Sequence, residues 1–195
     1  MKNFYFIFLI LLFSIKISNA QNITKAYFGG GCFWCMEEAF EKLDGIVEVV
    51  SGYSGGKTKN PTYKEVVYGD TGHFEVIEVI YDSSVLSYKK LLDNFWINID
   101  PFDEYGQFCD KGYSYRSVAF YENEKQKKMI EDSIEKIQNK FKKNVVTYVR
   151  KFEKFYKAED KHQNYYQEYF LNYLRYKKAC RREKILNNIW GSKNL

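Results

Sequence analysis

The chain changes its hydrophobic period several times, and each change predicts an element. Residues 24–28 form a short apolar run that reads as a strand leading into Gly29, Gly30 and Gly31. Beyond the glycines, Phe33, Met36, Phe40 and Leu43 recur at helical spacing, so a helix is predicted from near Cys32, with Gly45 closing it. Residues 46–50 read as a strand and the polar, glycine-rich stretch 51–61 as a loop, while 73–82 alternate with a period of two. An amphipathic helix is predicted over 87–99, stopped by Pro101, and a second loop rich in Gly and Asp over 103–114. Then come a strand (116–121), a long charged helix capped by Asn123 (123–141) and another strand (145–149). The remainder reads as helical and irregular, dense in Tyr and Lys. No repeat or interdomain linker interrupts this order. It predicts one α+β domain with βαβ units around a small mixed sheet.

The first twenty residues stand apart. Lys2 precedes an apolar run over 4–15, and Ser18 and Ala20 are small residues at the two positions a signal peptidase reads. The run is shorter than the roughly 20 residues a bilayer span needs. Residues 1–20 are therefore expected to be a signal peptide cleaved after Ala20. Residues 21–195 would be a single catalytic domain, secreted or periplasmic, with no stable membrane insertion. The net charge of +5 hides an asymmetry: residues 21–120 hold 9 basic and 15 acidic side chains, residues 121–195 hold 19 and 10. Lysines and glutamates alternate in the basic half without a binding motif, which reads as a solvated helical surface and not a nucleic-acid face. The two prolines, 45% hydrophobic residues and 37 aromatic side chains exclude a disordered tail, a collagen-like fibre and a membrane bundle. Four cysteines are too few for a disulfide scaffold, so a bridge among them is expected to do chemistry rather than hold the fold.

Cys32 follows three glycines and opens a helix. Unsatisfied N–H groups and the positive end of the dipole favour a thiolate there, and the glycines would let another molecule approach an unshielded sulfur. A low-pKa, accessible thiol is the expectation. Cys35 completes a Cys-x-x-Cys pair, which suits a redox dithiol or half of a zinc site. The remaining zinc-ligand candidates, Cys109, Cys180, His73 and His162, lack paired spacing, which disfavours the metal. Glu75 shares a strand face with Ile77, Val79 and Tyr81. A carboxyl group on that apolar face loses hydration, so its pKa should rise, and it could serve as a general acid.

Several ordered blocks now resemble one family. They are Gly30-Gly31-Cys32-Phe33-Trp34 followed by Glu37 or Glu38, Gly52-Tyr53-Ser54-Gly55-Gly56, Asn60-Pro61-Thr62-Tyr63, Gly69-Asp70-Thr71-Gly72-His73-Phe74-Glu75, and Asp110-Lys111-Gly112-Tyr113-Ser114-Tyr115-Arg116-Ser117. Together they resemble the peptide methionine sulfoxide reductases of the A type. The resemblance implies a two-layer α+β fold with a ferredoxin-like βαβ core. It implies Cys32 as nucleophile, Glu75 as proton donor to the sulfoxide oxygen, Tyr63 and Tyr115 as hydrogen-bond donors to that oxygen, and Asp110 as an organiser of the pocket. Phe33 and Trp34 would cup the substrate's S-methyl group. It also implies selectivity for the S epimer of methionine sulfoxide, free or in oxidised proteins. No cofactor is implied beyond an external dithiol reductant such as thioredoxin, and a monomer is expected. A sulfoxide has a polar oxygen, an electrophilic sulfur and an apolar methyl, which a thiolate, an acid and aromatic rings match.

The thiol that resolves the Cys32 sulfenic acid has three candidates. Cys180 is preferred because a mobile tail can reach the site, whereas Cys35 lies one helical turn away and Cys109 adjoins Asp110. The block from Phe155 to Gln163 departs from the family pattern at Lys157 and Lys161, and His162 reads as structural. Two rival readings leave more unexplained. A thioredoxin-like oxidoreductase needs a cis-proline context that neither Pro61 nor Pro101 offers, and a secreted binding module leaves the glycines, Glu75 and the motif spacing without a role.

Overall fold

A computed structural model describes residues 22–191, so the leader expected at 1–20 lies outside the described residues. In chain order it contains β1 (Ile23–Gly30), α1 (Phe33–Glu41), β2 (Ile46–Ser54), α2 (Tyr63–Tyr68), β3 (Phe74–Asp82) and α3 (Tyr88–Ile97). There follow β4 (Gly106–Gln107), β5 (Asp110–Lys111), a 3-10 turn (Tyr113–Tyr115), β6 (Ser117–Tyr121), α4 (Glu124–Phe141), β7 (Tyr148–Lys151) and β8 (Phe155–Lys157). A second 3-10 turn (Asp160–His162) leads to three helices, α5 (Tyr165–Glu168), α6 (Phe170–Ala179) and α7 (Arg182–Trp190).

Six strands make one sheet in the order β7-β6-β1-β3-β2-β8, antiparallel except for β6 beside β7. Because β1 and β2 both run antiparallel to β3, which lies between them, β1-α1-β2 is a split βαβ unit. The same reasoning makes β3 through β6 a second such unit around β1, which gives the ferredoxin-like order. The mixed α+β expectation holds. One sheet face packs Phe28, Tyr53, Ile77, Val79 and Ala119 against Phe33, Met36 and Phe40 of α1, Leu91, Leu92, Phe95 and Trp96 of α3, and Ile130 and Ile137 of α4. Each such side chain, fully buried, contributes about 1.5–3 kcal/mol. The opposite face, with Phe74, Val76, Val118 and Phe120, is covered by Tyr148, Phe152 and Phe155.

The period-two reading divides β3 correctly: Ile77, Val79 and Tyr81 join the core under the helices, and Phe74 and Val76 the layer on the opposite face. Several segments differ from expectation: the strand expected at 145–149 is β7 at Tyr148–Lys151, the loop expected over 103–114 carries β4 and β5, and α2 falls where no element is expected. The stretch expected as a loop from 51 is strand as far as Ser54, because Gly52 leaves room for Phe155 and Tyr156 of the adjoining strand β8. A Cβ at Gly52 would lie 2.3 Å from the Phe155 ring. Beyond that loop, helix α2 is short but well started. Thr62 accepts from the Glu65 N–H, and Glu65 accepts from the Thr62 N–H, a reciprocal cap.

Candidate active site

Cys32 is the N-cap of α1 and Phe33 its first helical residue. The Phe33 N–H donates to Oε2 of Glu75 at 3.0 Å, and the N–H groups of Cys35 and Met36 turn back to the Cys32 carbonyl. The positive end of α1 is therefore spent on Glu75 and on the chain's own carbonyl, with no N–H directed at the Cys32 sulfur. Cys32 is buried, and burial pushes its thiol well up, reinforced by the thiol of Cys35 and by Glu75 and Asp110. This corrects the expectation of an exposed, low-pKa thiol. A helix terminus supplies about 0.3–1 kcal/mol, less than one pKa unit, which burial beside two acids outweighs. The glycine lead-in also has a different purpose from the one expected. Gly31, at φ +78°, gives way to Gln107, and a Cβ at Gly30 would meet the Met36 sulfur at 2.5 Å. The glycines admit the protein's own core, not a ligand.

Glu75 is buried in β3, opposite Tyr53 of β2. Burial raises its pKa well above the ordinary carboxyl range, against the lowering effect of the Phe33 N–H. Burial thus favours the protonated form, the one that can donate. Its Oε1 has no hydrogen-bond partner among the described residues. Glu75 lines a cavity of about 70 Å³ with Cys32, Phe33, Trp34, Tyr63, Asp110, Tyr115 and Tyr176. The structure thus gathers Cys32, Glu75, Tyr63, Tyr115, Asp110, Phe33 and Trp34 around one small space. Tyr63, at the start of α2, and Tyr115, in the first 3-10 turn, bring their hydroxyls to 3.3 Å. Burial raises both phenols, Tyr63 to about 12, so both remain donors.

Three residues of the site escaped the sequence, and a fourth, His162, is the one read there as structural. Tyr176 of α6 closes the cavity and donates its hydroxyl to Asp110. Tyr165 stacks on Trp34, with centroids 3.8 Å apart. His162 lies against Tyr63 at 4.5 Å and Phe33 at 5.3 Å, buried and held neutral by that burial, so it backs the aromatic cup. Glu159 accepts from the Tyr63 N–H and the Tyr53 hydroxyl, fixing where α2 begins. All four lie in the tyrosine-rich tail, whose departures at Lys157 and Lys161 were the available signal.

The four cysteines divide into two pairs. Cys32 and Cys35 are free thiols at the N-cap and N3 positions of one helix, packed in one buried cluster with Tyr173. Cys109 and Cys180 form a disulfide. The tail expected to be mobile is thus the capped end of α6, tied to the loop that carries Asp110, and Cys180 is buried there. Cys35 is pulled down to about 7, chiefly by its hydrogen bond with Cys32 and then by Arg182 and Lys177, against burial.

Glu37, also on α1, is buried, accepting from the Asn164 N–H and the Ser51 hydroxyl, and burial lifts it to about 7. Between the unfolded value of 4.5 and about 7 the folded chain keeps a proton that the unfolded chain has lost, so this group's contribution to stability falls as pH rises. Glu37→Gln should leave the melting temperature unchanged near pH 4.5 and raise it at pH 8, by an effect on the order of 3 kcal/mol. Identical melting curves at pH 8 would refute this assignment.

A buried thiol pair, a buried carboxyl group with a raised pKa and two phenols around an aromatic cup define a thiol-based oxidoreductase acting on a small polar group. The comparisons with known proteins supply the family. The family model for peptide methionine sulfoxide reductase matches residues 24–194. The chain is 46% identical over 172 residues to peptide methionine sulfoxide reductase MsrA of Listeria monocytogenes, covering 87% of this chain and 97% of that protein. Among solved structures, Mxr1 of Saccharomyces cerevisiae in reduced form superposes with a TM-score of 0.71 at 31% identity, covering 80% of this chain and 90% of that one. Mxr1 in complex with Trx2 superposes with a TM-score of 0.53 at 25% identity, covering 78% and 90%. The chain belongs to the A-type peptide methionine sulfoxide reductases, and it is an oxidoreductase that reduces methionine sulfoxide.

Proposed function

We propose that this enzyme reduces the S epimer of methionine sulfoxide, in oxidised proteins or free, through a Cys32 sulfenic acid that Cys35 resolves. The observation that carries the reading is the convergence on one cavity of Cys32 and the buried Glu75 carboxyl, whose Oε1 has no hydrogen-bond partner among the described residues. The sulfoxide oxygen lies between Glu75 and the Tyr63 and Tyr115 hydroxyls, the methyl lies against Phe33 and Trp34, and the sulfur faces Cys32. Three fixed points accept one epimer of a chiral sulfur. Glu75 protonates the oxygen as Cys32 sulfur attacks, and the thiol proton is returned to Glu75. The substrate's S–O bond then breaks as the hydroxyl passes to the Cys32 sulfur, so methionine leaves and Cys32 is a sulfenic acid. The Cys35 thiolate attacks that sulfur and expels the oxygen as water, forming the Cys32–Cys35 disulfide. A thioredoxin-type dithiol restores both thiols, a partner suggested by the Mxr1 complex with Trx2. Asp110 holds Tyr176 over the pocket, and the leader-like first twenty residues favour work outside the cytoplasm.

The test is reduction of a peptide carrying the S epimer, with dithiothreitol as reductant; no methionine from the S epimer, or equal rates for both epimers, would sink the reading. The resolving thiol is checked separately. With one equivalent of substrate, Cys35→Ser should release one methionine and leave a Cys32 sulfenic acid that a dimedone-type probe captures. Cys180→Ser should still form the Cys32–Cys35 disulfide by mass spectrometry. A Cys32–Cys180 bridge after one turnover of the wild-type enzyme would return the role to Cys180.

A further inference from the structure

Cys32 and Cys35 open onto different cavities. The substrate pocket is lined by Cys32 and not by Cys35. Cys35 forms part of the wall of a second cavity of about 310 Å³, along the face of α1 that carries Glu38, Ala39 and Lys42 at spacings of three and four. Asn94 and Asn98 face it from α3 and its cap, Lys177 from α6, and Arg182 and Leu186 from α7. Nothing in the proposed sulfoxide chemistry uses this space.

Its charge is biased. Lys42 and Lys177 share the carboxylate of Glu38, at 2.7 and 2.8 Å, so one acid is held by two ammonium groups. Arg182 is buried, lies 4.4 Å over the Phe108 ring and donates to the Asn98 carbonyl, which leaves its charge without a carboxylate partner among the described residues. Glu183, the other acid on the wall, reaches Lys177 at 3.5 Å from a largely exposed side chain, which leaves the buried Arg182 as the unpaired cation. A polar, cation-rich space beside a reactive sulfur suits an anion that reacts with that sulfur.

We propose that this second cavity receives the thiolate of the external reductant, so that sulfoxide and reductant reach the Cys32–Cys35 pair from separate openings. The inference rests on Cys35 being the resolving thiol. In thiol–disulfide exchange the attacking sulfur enters opposite the leaving one. Here the thiolate bonds to Cys35 Sγ, the Cys32–Cys35 bond breaks, and Cys32, whose burial disfavours a thiolate, takes a proton from the Glu75 carboxyl in the substrate pocket as it leaves, Glu75 regaining one from solvent. The reductant's second thiolate then attacks its partner in the mixed disulfide and frees Cys35. The reductant leaves as a disulfide, two electrons pass to the enzyme, and Cys32 and Cys35 take up the two protons its thiols gave to solvent. Lys177 and Arg182 stabilise each thiolate that forms at Cys35.

The experiment narrows the cavity from two walls, with Ala39→Phe on α1 and Leu186→Trp on α7. Each oxidised variant is first made with one equivalent of sulfoxide peptide. Its methionine yield and its Cys32–Cys35 disulfide, read by mass spectrometry, test the resolving role; a bridge elsewhere would fault that reading and not the cavity. The disulfide is then reduced with dithiothreitol in rapid mixing. The rate should fall at least about tenfold in either variant, because exchange depends on access to the attacked sulfur. Wild-type rates in folded variants, judged by circular dichroism, would overturn the proposal. A single-cysteine thioredoxin-like protein in place of dithiothreitol identifies the source of the thiolate. Slowing of both reagents assigns the cavity to protein and small thiols alike, and slowing of dithiothreitol alone assigns it to small thiols.

Discussion

Cys32→Ser is expected to abolish sulfoxide reduction, by at least about 10⁴-fold, because a serine hydroxyl is neither nucleophilic enough at a tetravalent sulfur nor able to carry the oxygen as a sulfenic acid. The substitution removes little else. Cys32 makes no side-chain cap bond, and its structural work, accepting from the Cys35 and Met36 N–H groups, is done by the backbone carbonyl. The fold should persist, and the variant should bind sulfoxide without turning it over. Methionine release by chromatography, with circular dichroism as a control, checks this; a folded variant retaining even a hundredth of the activity would move the nucleophile elsewhere.

Glu75→Gln should lower turnover by about 10²–10⁴-fold, the usual contribution of a positioned acid. Glutamine keeps the shape and can still accept from the Phe33 N–H, so the loss isolates the proton. The pH profile makes the test sharper. Burial raises the Glu75 pKa, so the wild-type rate should hold while the carboxyl is protonated and fall as pH rises through the folded value. The variant, which cannot ionise there, should lose that alkaline decline. Stability should move the other way. The folded wild-type chain holds a proton the unfolded chain releases above the ordinary carboxyl value, so its stability drops with rising pH. The glutamine form escapes that drop and should melt higher in alkaline solution. A variant both inactive and destabilised at high pH would mean that Glu75 holds structure and does not supply a proton.

Local pattern carried much of this protein. The period-two run put Glu75 on the face of Ile77 and Val79, and the structure buries that face against the helices. The 3.6-residue run after Gly31 started a helix at Cys32, and Asn123 and Ser87 capped the helices expected of them. Those readings depend on neighbours within a turn or a pleat, which the sequence contains in full. The ordered motif blocks then led to the family, because their residues converge on one cavity.

Other properties were decided by contacts across long separations. The raised pKa of Cys32 follows chiefly from burial that no local window reveals, then from Cys35, and last from Glu75 and Asp110, 43 and 78 positions away. The same holds for the pairing of Cys109 with Cys180, which turned an expected mobile tail into a fixed wall. The tail's tyrosines read as composition until α6 folded back to set Tyr176 on Asp110. Helix and strand come from the spacing of apolar side chains along the chain; electrostatics and cavity shape come from which distant surfaces exclude water together, and only the tertiary structure decides that.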